Sequence, residues 1–80
     1  MKLTVFTQNA CRYCGEAKNF LDARDVSYET INVSDNPEYV DGLGLMGAPT
    51  IILYDEDNDE VARTTGFKPE ELEAIIENLE

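Results

Sequence analysis

The sequence predicts an α/β fold in which a four-stranded mixed sheet is flanked by helices, in the order β-α-β-α-β-β-α. Three observations lead there. The apolar period changes from a strand-like to a helical one near Tyr13, just after a short run rich in β-formers. A near-continuous apolar run, Thr50–Tyr54, lies between a proline and an acidic turn, as a strand buried on both faces would. The last segment carries Leu72, Ile75, Ile76 and Leu79 at helical spacing.

Composition bounds the rest. Eighty residues suffice for one domain, taken as 1–80, and neither a linker nor an internal repeat divides it. No apolar run approaches the ~20 residues of a membrane span. The start, Met1-Lys2-Leu3-Thr4, has no signal-peptide core, so a reducing cytoplasm is expected, where a lone cysteine pair is catalytic or metal-binding rather than structural. The 17 acidic residues against 6 basic ones, a net charge of -11, work against nucleic acid and anionic membranes as partners and leave room for a basic protein. The absence of histidine removes the usual imidazole base and metal ligand.

Taken in order, Leu3–Thr7 is a first strand, and Thr7-Gln8-Asn9-Ala10 is the loop before the cysteines. A helix-like segment runs over Gly15–Arg24, with Cys14, Ala17, Phe20 and Leu21 on one face and Glu16, Lys18, Asn19 and Asp22 on the other. Val26–Val33 is the second strand, which makes a parallel, right-handed βαβ unit. Asp35-Asn36-Pro37 supplies a capping side chain and a proline at the first helical position, starting a short helix over Pro37–Leu43. Thr50–Tyr54 and Glu60–Thr65 form an antiparallel hairpin across the polar turn Asp55–Asp59. Pro69 opens the last helix, where Glu70 and Glu71 complement its dipole.

Cys11-Arg12-Tyr13-Cys14 holds both cysteines, at a strand-to-helix junction. Two residues between them bring the sulfurs within bonding reach on a first helical turn. The free N–H groups of a helix start favour a thiolate on the first cysteine, and the thiolate is the attacking species. Cys14 falls on the buried face and Cys11 at or before the first turn, which suits a sheltered resolving thiol and an accessible attacking one. Zinc would need four ligands, and two cysteines without histidine leave a shared dimer site or carboxylate help as the only routes. Two other motifs mislead. Gly42-Leu43-Gly44-Leu45-Met46-Gly47 matches GxGxxG but follows a helix and leads into a strand, the reverse of a dinucleotide loop. Asp55, Asp57 and Asp59 imitate a calcium loop, yet its sixth position is Glu60 and its twelfth Gly66, so a charged hairpin turn is expected.

Together, Leu3–Thr7, Cys11-Arg12-Tyr13-Cys14, Ala48-Pro49-Thr50 before a strand and Gly66-Phe67-Lys68-Pro69 before the last helix resemble the glutaredoxin and NrdH-redoxin family of small thioredoxin-fold proteins, over essentially the whole chain. The resemblance implies a cis peptide bond at Ala48–Pro49 facing the cysteines, with the Ala48 backbone free to pair with an extended peptide or glutathione. It implies a groove formed by Arg12, Tyr13, Ala48, Pro49, Thr50, Gly66 and Phe67. It implies thiol–disulfide exchange without a bound cofactor or metal: a redox-active Cys11–Cys14 disulfide, with Cys11 attacking and Cys14 resolving.

The electron donor divides the family. Glutaredoxins use glutathione and usually carry a lysine three residues before the first cysteine and an aspartate near the last helix. NrdH-redoxins are reduced by thioredoxin reductase and supply ribonucleotide reductase. Here Gln8 replaces the lysine, Arg12 replaces a proline between the cysteines, and Lys68 stands near the aspartate position. The NrdH-like reading is favoured, with glutathione as cosubstrate the alternative and a monomer expected. From another class, the rivals are a non-catalytic binding module of the same fold and a dimer holding a metal or iron–sulfur centre.

Overall fold

A computed structural model of the chain describes residues 1–79; Glu80, the last residue of the expected domain, lies outside the described residues. The elements are β1 (Lys2–Thr7), α1 (Arg12–Asp22), β2 (Glu29–Asn32), α2 (Glu38–Leu43), β3 (Thr50–Tyr54), β4 (Glu60–Thr65) and α3 (Pro69–Glu77). The strands lie in the order β2-β1-β3-β4. β1 runs parallel to β2 and antiparallel to β3, and β3 runs antiparallel to β4, so the sheet is mixed.

Strand alternation builds two unlike faces. Leu3 pairs with Leu53 and Val5 with Ile51 across β1 and β3. These four side chains pack against Ala17 and Leu21 of α1 and Leu72 and Ile75 of α3 as one buried cluster. The opposite face presents Thr4, Phe6, Thr50 and Ile52, also buried, as the apolar run in β3 led one to expect. α2 lies on that face, and it buries none of its own residues. It is held through the Phe6 and Tyr39 rings, 5.7 Å apart, and through Arg63 of β4, which donates to the Leu43 carbonyl (3.0 Å). The Glu60 carboxylate accepts from the same guanidinium (2.6 and 2.7 Å) and is held below its usual range by those bonds.

Several boundaries differ from the sequence reading. α1 begins at Arg12 rather than Gly15, because Cys11 itself caps it. β2 is four residues long instead of the eight of Val26–Val33. The cause is the way α1 ends. Asp25 is left-handed (φ 55); its N–H donates to Asp22 and the Val26 N–H donates to Leu21, both at 3.1 Å, in a Schellman closure. Val26 is thereby held against the core by the helix end, not by the sheet. Pro37 stands at the cap position of α2 rather than at its first turn, and no side chain caps that helix; the Asn36 amide donates instead to the Asn32 carbonyl (2.9 Å). Leu79 falls beyond the end of α3 but still packs against the core. In the β3–β4 turn, one Asp55 carboxylate oxygen accepts from the N–H groups of Asp57 and Asp59 (2.8 and 3.0 Å), an Asx-type closure. Gly44, left-handed at φ 63, ends α2, which accounts for one glycine of the GxGxxG match.

Two consequences are measurable. A left-handed aspartate costs more than a glycine there, so Asp25→Gly is expected to raise stability by roughly 0.5–1 kcal/mol in urea unfolding. The Tyr28 hydroxyl donates to Asp22 (2.8 Å); burial, followed by that bond to a carboxylate, pushes the phenol up to about 12. A raised pKa stabilises the fold while the phenol is protonated. This contribution is full below the ordinary value of 10.0 and is lost as pH rises through about 12. Burial raises Tyr54 as well, so ultraviolet titration should show two tyrosines titrating late, one of which Tyr28→Phe removes.

Candidate active site at the disulfide end of the sheet

Register decides which loops meet. Thr7 closes β1 opposite Asn32, Phe6 pairs with Thr50 at the start of β3, and Thr50 pairs with Thr65 at the end of β4. The segments that follow β1, β2 and β4, and the one that precedes β3, therefore leave the same end of the sheet. This brings together residues 8–11, 33–36, 44–49 and 66–68, although they are far apart in the chain.

Cys11 and Cys14 are joined by a disulfide with a Cα–Cα distance of 5.3 Å. Cys11 is half-buried and extended (φ -106, ψ 104) at the head of α1, and its Sγ accepts from the Cys14 N–H at 3.1 Å. Cys14 is only 3% exposed. The first turn of α1 has no acidic residue. Arg12 and Tyr13 are exposed, with the guanidinium 6.0 Å from the ring centroid.

The Ala48–Pro49 peptide is cis. Pro49 is buried, and its carbonyl accepts from the Gly66 N–H at 2.7 Å, which ties the loop before β3 to the loop after β4. Ala48 is half-buried, and among the described residues its N–H and C=O take part in no hydrogen bond. Two expected groove residues lie differently. Thr50 is fully buried and donates its hydroxyl to the Gly47 carbonyl (2.6 Å), so it braces the loop from behind instead of lining a groove. Phe67 turns its ring onto Phe20, with centroids 5.9 Å apart, and packs against the core. Apolar side chains with a core neighbour in reach are drawn inward.

Beside this end is a pocket of about 230 Å³ lined by Phe6, Gln8, Val33, Val40, Leu45, Met46, Gly47 and Ala48. Met46 is 93% exposed at its edge. The charge is segregated. None of the 17 acidic residues falls within residues 1–15, 42–54 or 61–69, which include three of the four converging segments. A carboxylate beside Cys11 would oppose its thiolate; the nearest charge in sequence is Arg12.

A glutaredoxin family model matches residues 3–57, which include the cysteine pair and the Ala48–Pro49 peptide. The chain belongs to the glutaredoxin family. Within it, the chain is 35% identical over 79 residues to the SPbeta prophage-derived thioredoxin-like protein YosR of Bacillus subtilis, spanning 99% of each. It is 32% identical to the glutaredoxin-like protein NrdH of Lactococcus lactis, over 88% of this chain and 93% of that one. The solved structure of NrdH-redoxin from Escherichia coli covers all of this chain with a TM-score of 0.76, at 29% identity and 96% of its own length. The activity follows the family: the chain is an NrdH-redoxin-like thiol–disulfide oxidoreductase, and Cys11–Cys14 is its redox-active disulfide.

The sequence did not single out Asn9, Asn32 and Ser34. The Asn9 N–H donates to Ser34 Oγ (3.1 Å), Asn32 Nδ2 donates to Asn9 Oδ1 (3.0 Å), and the Ser34 N–H donates to Asn32 Oδ1 (2.8 Å). Polar residues at the end of β2 and in the loops after β1 and β2 give no local signal that they will meet. Gly66 is left-handed at φ 86, with open space where a Cβ would stand. Gly66→Ala is therefore expected to cost about 1–2 kcal/mol in unfolding free energy through backbone conformation alone, without a clash.

Proposed function

We propose that the chain delivers electrons to protein disulfides with Cys11 as the attacking thiol and Cys14 as the resolving one, and that thioredoxin reductase, not glutathione, renews the dithiol. The observation that carries the order of the cysteines is their unequal burial: Cys11 half-buried at the head of α1, Cys14 3% exposed. The Cys11 thiolate attacks one sulfur of the substrate disulfide, and the other substrate sulfur leaves as a thiolate. Cys14, deprotonated, attacks Cys11 Sγ and expels the second substrate thiolate. Two electrons pass to the substrate, its thiolates take up two protons, and the Cys11–Cys14 disulfide remains. The Cys14 N–H directed at Cys11 Sγ favours the thiolate form of Cys11.

The donor assignment rests on charge. Glutathione brings an α-ammonium and two carboxylates. Lys68, at the head of α3 with its side chain 55% exposed, meets the ammonium with the wrong sign. Gln8 offers a glutathione carboxylate no cation. The NrdH-redoxin of Escherichia coli has a thioredoxin-like activity profile, in keeping with this reading. A docking protein would find Ala48 with free backbone groups for an extended segment, flanked by Arg12, Tyr13, Pro49, Gly66 and the Phe67 edge. Ribonucleotide reductase, a cytoplasmic setting and a monomeric carrier are the partner, place and state that the resemblance implies.

Oxidised protein mixed with NADPH and thioredoxin reductase should consume NADPH at least tenfold faster than with glutathione and glutathione reductase. The reverse ranking would assign the chain to glutathione. Cys11→Ser should abolish insulin reduction, whereas Cys14→Ser should accumulate a mixed disulfide visible by mass spectrometry; full turnover in either variant would remove the assigned role.

A further inference from the structure

We infer that Asn9 and Ser34 form a latch that sets the stability of the Cys11–Cys14 disulfide by holding the segment in front of Cys11 immobile. The role is one of positioning. Neither residue belongs to the cysteine motif, and the inference needs only that the disulfide is redox-active, whichever thiol attacks and whichever reductant serves.

The segment 8–10 joins β1 to the capping cysteine, and its conformation is not one the chain adopts readily. Ala10, directly before Cys11, is left-handed at φ 55, a region that non-glycine residues avoid. Something must hold it there. The Thr7 carbonyl, just ahead of the segment, accepts from Val33 at 2.8 Å and extends the β1–β2 ladder by one bond. Beyond it, the remaining hydrogen bonds of segment 8–10 among the described residues are those of Asn9: its N–H to Ser34 Oγ and its Oδ1 from Asn32 Nδ2. The receiving turn is itself stiff. Asn32 Oδ1 accepts from the Ser34 N–H, and the Asn32 carbonyl accepts from the backbone N–H groups of Asp35 and Asn36 (3.2 and 3.1 Å) and from the Asn36 side chain. Asn9 thus ties a loop of unfavourable conformation to a turn that is already closed.

The chemistry follows from which state gains freedom. The equilibrium is protein dithiol plus glutathione disulfide going to protein disulfide plus two glutathione thiols, with two electrons and two protons passing from the protein to glutathione. Closing the protein disulfide fixes Cys11 against Cys14 on a buried helix face. If segment 8–11 is already immobile in the dithiol, closure loses little additional freedom, and the effective concentration of one sulfur at the other is high. If the segment is loose, closure must order it, and the dithiol is favoured. Breaking the latch should therefore make the protein a weaker reductant, with a less negative potential.

The test uses the full chain equilibrated in glutathione redox buffers, with oxidised and reduced fractions counted by thiol alkylation and mass spectrometry. Asn9→Ala removes one bond of the latch and Ser34→Ala the other; both positions are exposed, so the fold should survive. Each should lower the disulfide-formation constant about threefold and the double variant about tenfold, which is about 30 mV. Tyr28→Phe, which removes an exposed side-chain bond at the far end of α1, should leave the constant unchanged. A double variant within twofold of the parent would overturn the inference, as would a Tyr28→Phe shift of the same size, since the effect would then be general loosening of the fold.

Discussion

The antiparallel pairing of β1 with β3 is the constraint on which the rest of the molecule depends. Phe6 opposite Thr50 and Leu3 opposite Leu53 set two things at once. They put Leu3, Val5, Ile51 and Leu53 on one face, where α1 and α3 cover them. They also put the exit of β1 beside the entry of β3, so the cysteine loop and the Ala48–Pro49 loop share an end of the sheet. A slip of one residue would turn every core side chain to the other face and separate the two loops. Burial of the central strands protects this register, because eight of the residues paired in it are no more than 2% exposed.

The two faces of the sheet do different work. The face under α1 and α3 is tightly packed and fixes the axis along which Cys14 points inward. The face under α2 is held by one ring pair and by Arg63 at the Leu43 carbonyl, and it leaves pockets of about 230 and 220 Å³ on either side of Phe6. The rigid face carries the sulfur chemistry, and the lightly packed one borders the open apolar surface next to it. Charge follows the same division. Carboxylates crowd α2, the β3–β4 turn and α3, and are missing from three of the four segments that converge at the disulfide end. The acidic surface thus leaves the segment that carries Cys11 without a carboxylate that would oppose a thiolate there.

The cysteine motif reaches beyond its four residues. Cys11 caps α1 with its own sulfur, so the redox centre and the start of the helix are one structure. Gly66 fastens Pro49 from the other side, and Thr50 fastens Gly47 from behind. Asn9 fastens the segment in front. Two of these ties, Gly66 to Pro49 and Asn9 to the turn after β2, join segments distant in sequence and help hold the half-buried and the buried sulfur at constant geometry.

The sequence by itself determined what depends on neighbours along the chain. Cysteine spacing at a strand-to-helix junction, the apolar periods, and the prolines and glycines at element ends are local signals. They were enough for the element order, the hairpin, the inward side of α1 and, through the family resemblance, the cis peptide. Tertiary structure decided what depends on closure between distant segments. It shortened β2, because a helix-end closure claimed Val26. It buried Thr50 between Phe6 and Thr65 in the sheet and turned Phe67 onto Phe20, because each found its neighbours in distant segments. It joined Asn9 to Ser34, because parallel pairing of β1 with β2 brought their loops together. Polar loop residues carry no period or propensity that announces a partner twenty-five positions away; only the register of the sheet brings them together.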